Sequence, residues 1–166
     1  MKIKQRKLRK TMKKRIIVKR PMQSAELVET EIKYRCNLKE YISNDRRVLL
    51  EHVPVLTNSG LYAVVDEEGI PKNLDNNMFV SVPSNVHPIQ LLFGNVVFCR
   101  LSFNVNDDYD YQVEDLTDDD IATVSTLIHT QRYLSSQFKK LYSSFEEYKR
   151  PKVFTFEGGE QINGNY

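Results

Sequence analysis

At 166 residues, with 40% hydrophobic and 28% charged side chains, the chain is long enough for one domain with its own core and too apolar for a disordered protein. No apolar run approaches the roughly 20 residues a membrane-spanning helix needs, and two distant cysteines, Cys36 and Cys99, fit a reducing compartment in which both stay buried thiols. The net charge of +2 conceals two opposite regions: residues 1–20 hold eleven Lys or Arg and no acid, leaving 13 basic against 22 acidic residues, or −9, in 21–166.

The basic stretch has too little apolar surface to bury itself, so residues 1–20 are expected to form a disordered tail. It lacks the apolar core of a secretory signal. Its cations Lys4, Arg6, Lys7, Arg9, Lys10, Lys13, Lys14 and Arg15 are candidates for nucleic-acid binding through phosphate neutralisation. Equally, such an arm can dock on the acidic remainder of the same molecule. Met12 is an alternative start of translation, which removes six of the eleven charges.

Within and after the tail, RIIVK (15–19) is β-prone and Pro21 breaks it. Residues 26–35 alternate loosely and read as a strand. Asn37, with Glu40 three residues on, predicts a short capped helix over 38–44. Residues 48–56 read as a strand that Pro54 ends or confines to a sheet edge. The turn Thr57-Asn58-Ser59-Gly60 joins it to LYAVVD (61–66) in an antiparallel hairpin. After Glu67-Glu68-Gly69, residues 71–88 form an irregular loop with an extended piece at 78–82. Residues 89–93 give a turn or strand, and NVVFCRLSF (95–103) is apolar enough for the centre of a sheet.

Residues 104–115 are an acidic loop. Asn104, Asn106, Asp108, Asp110, Gln112 and Asp115 match calcium-loop spacing, but Tyr109 stands where glycine is required, which argues against a metal site. Thr117 followed by Asp118, Asp119 and Asp120 is a capped helix start. From there Val124, Leu127, Gln131, Leu134, Phe138, Leu141, Phe145 and Tyr148 recur at alternating steps of three and four, interrupted only by Gln131. One long amphipathic helix to about Tyr148 is therefore expected, before a loose tail over 149–166. Its stripe packs on the sheet, or its later part (Leu134, Phe138, Leu141, Phe145) forms a homodimer seam. The expected fold is α+β: a small, mostly antiparallel sheet, a short helix and this long C-terminal helix around a single domain over 21–148.

His52, His87 and His129 are isolated, and no phosphate loop, dinucleotide fingerprint or nucleophile elbow occurs. Neither a catalytic site nor a metal or cofactor is expected.

LYAVVDEEGIPKNLDNN, GNVVFCR and LTDDDI, with RIIVK, the NLKEYI helix and HVPVL before them, resemble a family of small uncharacterised proteins from bacteriophages and mobile elements, domain of unknown function 3846. The resemblance covers about residues 16–121. It implies a phage or mobile-element accessory protein in a bacterial cytoplasm and brings no catalytic residues. Asp66, Asn73, Asn76 and Asn77, on the loop that carries the resemblance, are candidates for a ligand pocket and also suit turn geometry. The expected function is a non-enzymatic module binding a protein through its acidic body. The alternative is a nucleic-acid-binding protein with a basic arm and a helix-mediated dimer.

Overall fold

A computed structural model of the protein describes residues 12–56, 59–103 and 110–149. In β1 (Lys14–Lys19), Ile16 and Val18 point to one side and Ile17 to the other, and all three are buried. Apolar residues on both faces of a strand require a layer on each side of the sheet, and the rest of the chain supplies them. β2 (Glu26–Thr30) turns back along β1, with Lys14 opposite Thr30 and Val18 opposite Glu26. A 3-10 turn (Arg35–Leu38) runs into α1 (Lys39–Ile42), and β3 (Leu50–Pro54) with β4 (Leu61–Asp66) makes the expected antiparallel hairpin. A separate hairpin follows, β5 (Asn76–Ser81) with β6 (Ile89–Phe93). Then come β7 (Val96–Ser102), β8 (Gln112–Glu114), α2 (Asp118–His129), α3 (Gln131–Leu141) and α4 (Phe145–Lys149).

The main sheet runs β2-β1-β7-β4-β3, all antiparallel, and Pro54 closes the edge strand β3. β7 is central, as its apolar sequence predicts: Phe98 lies opposite Ile17 on one side and Ala63 on the other. Where β1 parts from β7, β8 takes its place, pairing Val113 with Leu101. One face of the sheet (Ile16, Val18, Val64, Val97, Cys99) is covered by Leu38 and Ile42 of the short helical segment. The other (Ile17, Ala63, Val65, Val96, Phe98) packs on Met78, Val80 and Leu92 of the second hairpin and on Val124 of α2. That hairpin's outer side (Ile89, Leu91, Phe93) is covered in turn by Leu134, Phe138 and Tyr142. Complete burial of a side chain such as Phe98 is worth about 1.5–3 kcal/mol.

The α+β class and the antiparallel sheet hold, but the single long C-terminal helix does not. It breaks at Thr130, whose backbone (φ −88°, ψ 9°) leaves helical geometry, and again at Tyr142, which is extended (φ −126°, ψ 116°). Local hydrogen bonding accounts for both breaks. The Thr130 hydroxyl donates to the Leu127 carbonyl at 3.2 Å, while the Gln131 amide reaches out to β5. Ser144 caps a new helix by accepting from the Glu147 N–H at 3.1 Å, and the Glu147 carboxylate accepts from the Ser143 N–H at 2.8 Å.

Four smaller expectations are corrected. The folded unit takes in β1, within the stretch that charge assigns to the tail, because Ile16, Ile17 and Val18 supply core to both faces. The short helical segment starts at Arg35 rather than after Asn37, whose Oδ1 accepts from the Tyr34 N–H at 2.9 Å from inside the first turn. The acidic loop contains β8. Cys36 is exposed, whereas Cys99 is buried in the sheet, where desolvation pushes its thiol pKa up.

Candidate functional site

The charged end of the molecule forms where β1 begins. β8 ends beside it and α2 starts four residues later, so residues far apart in sequence meet there. Lys14 Nζ lies 3.4 Å from Glu114 Oε2. Arg15 is gripped more fully: Nε and Nη2 approach Asp115 Oδ2 at 3.1 and 2.8 Å, and Nη1 reaches Asp118 Oδ1 at 2.8 Å. The Arg15 backbone N–H also donates to Asp115 at 2.7 Å, and its guanidinium donates to the Leu116 carbonyl. Hydrogen bonding from Arg15 holds the Asp115 carboxyl below its ordinary pKa, and the same bonds raise that of Arg15. Glu29 lies opposite Arg15 in the β1–β2 register. The result is an acidic ridge in which Asp115 and Asp118 hold the Arg15 guanidinium, Glu114 holds Lys14, and the exposed Glu29 lies alongside.

Two of the candidate nucleic-acid contacts, Lys14 and Arg15, are thus engaged by the protein's own carboxylates. Lys13 is exposed beside them, and Lys4, Arg6, Lys7, Arg9 and Lys10 lie outside the described residues. Of the calcium-loop residues, Asn104, Asn106 and Asp108 also lie outside them, and Gln112 belongs to β8. Among the described residues no three or more His, Cys, Asp or Glu side chains are placed to hold a metal ion.

The loop candidates serve separate purposes. Asp66, 5% exposed, accepts from the Glu68 N–H and from Lys72 Nζ, each at 2.9 Å, and so builds the turn after β4. Asn73 occupies the left-handed region at φ +57°, where asparagine is favoured among non-glycine residues. Asn77 Nδ2 donates at 2.7 Å to the carbonyls of both Lys19 and Gly94, tying the second hairpin to β1, while its Oδ1 is buried without a hydrogen bond. Asn76 and Asn77 line a shallow groove of about 410 Å³ with Phe79, Gln131 and Arg132, whereas Asp66 borders a different cavity of about 60 Å³ with Glu51 and Tyr148. The four do not converge on one pocket.

Of the seam residues, Leu134 and Phe138 are buried on the second hairpin, and the Phe145 ring lies 5.5 Å from that of Phe93. Leu141 is 48% exposed. Gln131, the polar interruption, forms two bonds with Phe79: its Oε1 accepts from the backbone N–H at 2.8 Å and its Nε2 donates to the carbonyl at 2.9 Å. It plugs the outer edge of β5 as another strand would.

One cluster has no sequence signature. Asp110 accepts from Arg35 Nε at 3.2 Å and from the Cys36 N–H at 2.8 Å, and Arg35 Nη1 donates to His52 Nδ1 at 2.8 Å. The His52 ring rests 4.6 Å from that of Tyr111. Cys36 and Lys39 border two adjoining surface clefts of about 520 and 540 Å³. Cysteine, histidine and aspartate together invite comparison with a nucleophilic site, but the order is wrong for one. Burial and then the Asp110 carboxylate push the Cys36 thiol up, and burial and then Arg35 push His52 down. A nucleophilic cysteine requires a cation or base at sulfur, and here the side chain bonded to it is a carboxylate.

No described helix is long and apolar enough to cross a membrane. No family model matches the chain, and no curated protein or solved structure matches it.

Proposed function

We propose that the protein is a non-enzymatic binding module whose acidic face engages a basic surface of a partner protein. Arg15 carries this reading: Asp115 takes it bidentately, Asp118 takes its third nitrogen, and exposed acids surround the pair. Asp118, 93% exposed, and its exposed neighbours Asp119 and Glu29 extend that carboxylate surface to solvent, where a partner's arginines and lysines can meet it. The sequence resemblance adds the setting, an accessory protein of a bacteriophage or mobile element in the bacterial cytoplasm.

The second reading, nucleic-acid binding through the arm, keeps seven cations in residues 1–13 but loses Lys14 and Arg15 to the ridge. The ridge beside the arm also repels phosphate.

Fluorescence anisotropy of the full chain with labelled polylysine, duplex DNA and RNA, at low and near-physiological salt, separates the two. The protein-partner reading expects polylysine binding that survives near-physiological salt and weak, salt-labile binding of nucleic acid. Tight DNA binding lost in a chain starting at Met12, and no polylysine binding, reverses the assignment. Met12 is the proper truncation point because a start at Met22 removes β1.

A further inference from the structure

β2 is an edge strand. Its inner side pairs with β1 over five residues, and among the described residues no strand and no backbone hydrogen bond reaches Glu26–Thr30 from outside. Two other edges each carry a block. β3 ends in Pro54, which has no N–H to offer, and Gln131 occupies the outer backbone groups of Phe79 on β5. β2 has no proline, and among the described residues side chains meet only its side chains, Arg20 at Glu26 and the Tyr41 hydroxyl at Thr30, and none plugs its backbone.

Its side chains describe what fits there. Glu26 and Glu29 are exposed on opposite faces of the strand, Glu26 in a solvent-exposed pair with Arg20 Nη1 at 3.3 Å, Glu31 is exposed just beyond its end, and Leu27 between them is 52% exposed. Leu27 lies opposite Ile17, so it continues the apolar face of the sheet outward past its last covered strand. Carboxylates on both faces repel the identical edge of a second copy, which guards against self-pairing. They attract cations on either face of an incoming strand, and Leu27 offers that strand an apolar neighbour. Glu29 lies opposite Arg15 in the register, beside the Asp115 and Asp118 carboxylates that hold that guanidinium.

We infer that the outer edge of β2 is a strand-addition site for an extended, Lys/Arg-rich segment of a partner protein. Backbone hydrogen bonds give the affinity, and the glutamates select the charge. The inference rests on the acidic-face reading and deepens it by naming the surface and the mode of binding.

The probe is a labelled synthetic peptide of repeated Lys-Lys-Val, titrated into the full chain at near-physiological salt. Beside it runs the same peptide N-methylated at alternate residues, which keeps every charge but cannot extend a β-ladder. The expected result is binding of the first peptide and at least about tenfold weaker binding of the second, the loss of roughly one or two net hydrogen bonds. A Glu26→Lys, Glu29→Lys variant is expected to lose binding by a similar factor while keeping its circular dichroism spectrum. Equal binding of both peptides overturns the strand-addition site and leaves the acidic-face reading standing. Unchanged binding to the charge-reversed variant overturns the location. Failure of both peptides where polylysine still binds overturns the site alone, and failure of all three ligands overturns the acidic-face reading with it. A dimer in sedimentation velocity that the peptide disperses assigns the edge to a second copy and overturns the partner.

Discussion

The two hairpins β1–β2 and β5–β6 have similar lengths and opposite surroundings. β5–β6 is enclosed: Met78, Val80 and Leu92 face the sheet, Leu91 and Phe93 face α3 and α4, and Gln131 occupies the β5 edge. β1–β2 is enclosed mainly through β1, with Val28 of β2 packed partly on one covered face, while β2 otherwise carries exposed glutamates and a half-exposed leucine. One hairpin is held by packing on both sides and the other presents a side to solvent. The first hairpin is therefore built for stability and the second carries the proposed recognition edge, and substitutions can be chosen to separate the two.

The largest expected effect is on the enclosed side. Phe138→Ala should cost about 3–5 kcal/mol, seen as a lowered urea midpoint, because its ring fills the space between β5 and α3. Leu141→Ala, one turn along the same stripe, should stay within about 0.5 kcal/mol. Comparable losses at the two positions would restore the continuous seam.

Asp120→Ala comes next. The 7%-exposed Asp120 carboxylate accepts from Arg100 Nε at 3.0 Å and from the Thr117 N–H at 2.8 Å, so its removal takes away an ion pair and a helix cap together, about 2–4 kcal/mol. Burial pushes the Asp120 pKa up, but Arg100 and Thr117 outweigh it and hold it below the ordinary value. A depressed folded-state pKa gives stability that is present above the unfolded value and lost as pH falls through the folded one. Urea midpoints measured between neutral and acid pH should fall more steeply for the native chain than for Asp120→Asn.

Gln131→Leu makes the stripe fully apolar, yet it should cost about 1–3 kcal/mol because the Phe79 N–H and C=O lose their partner. Faster amide exchange at Phe79 checks this directly. The smallest effect on stability belongs to the open side: Glu26→Gln with Glu29→Gln should leave the melting temperature nearly unchanged, within about 0.5 kcal/mol, while weakening polylysine binding.

Where burial sets a repeating pattern, the fold was legible. RIIVK, LYAVVD and NVVFCRLSF are strands because apolar residues serve both faces, and Thr117 with Asp120 closes a capping box as the sequence suggests. The apolar stripe after it is real as burial and misleading as continuity. Phe138 and Tyr148 meet at 5.2 Å across the break, where ten residues of one continuous helix would hold them about 15 Å apart, so the stripe closes on itself only because the helix is interrupted. A Ser-x-x-Glu signature at Ser144 and Glu147 marks the break, and the heptad count masks it. The ridge was legible only as net charge, since the contacts from Arg15 to Asp115 and Asp118 span about a hundred residues. The Arg35–His52–Asp110 cluster, joined across 17 and 75 residues, has no local signal at all.

Hydrogen–deuterium exchange of the full chain with and without the Lys-Lys-Val peptide tests the strand-addition site most directly. Strand addition predicts slowed exchange at the outward-facing amides of Glu26–Thr30 on binding and no change along β5, whose edge Gln131 already fills. Protection confined to α3 or to the second hairpin, with β2 unaffected, would contradict it.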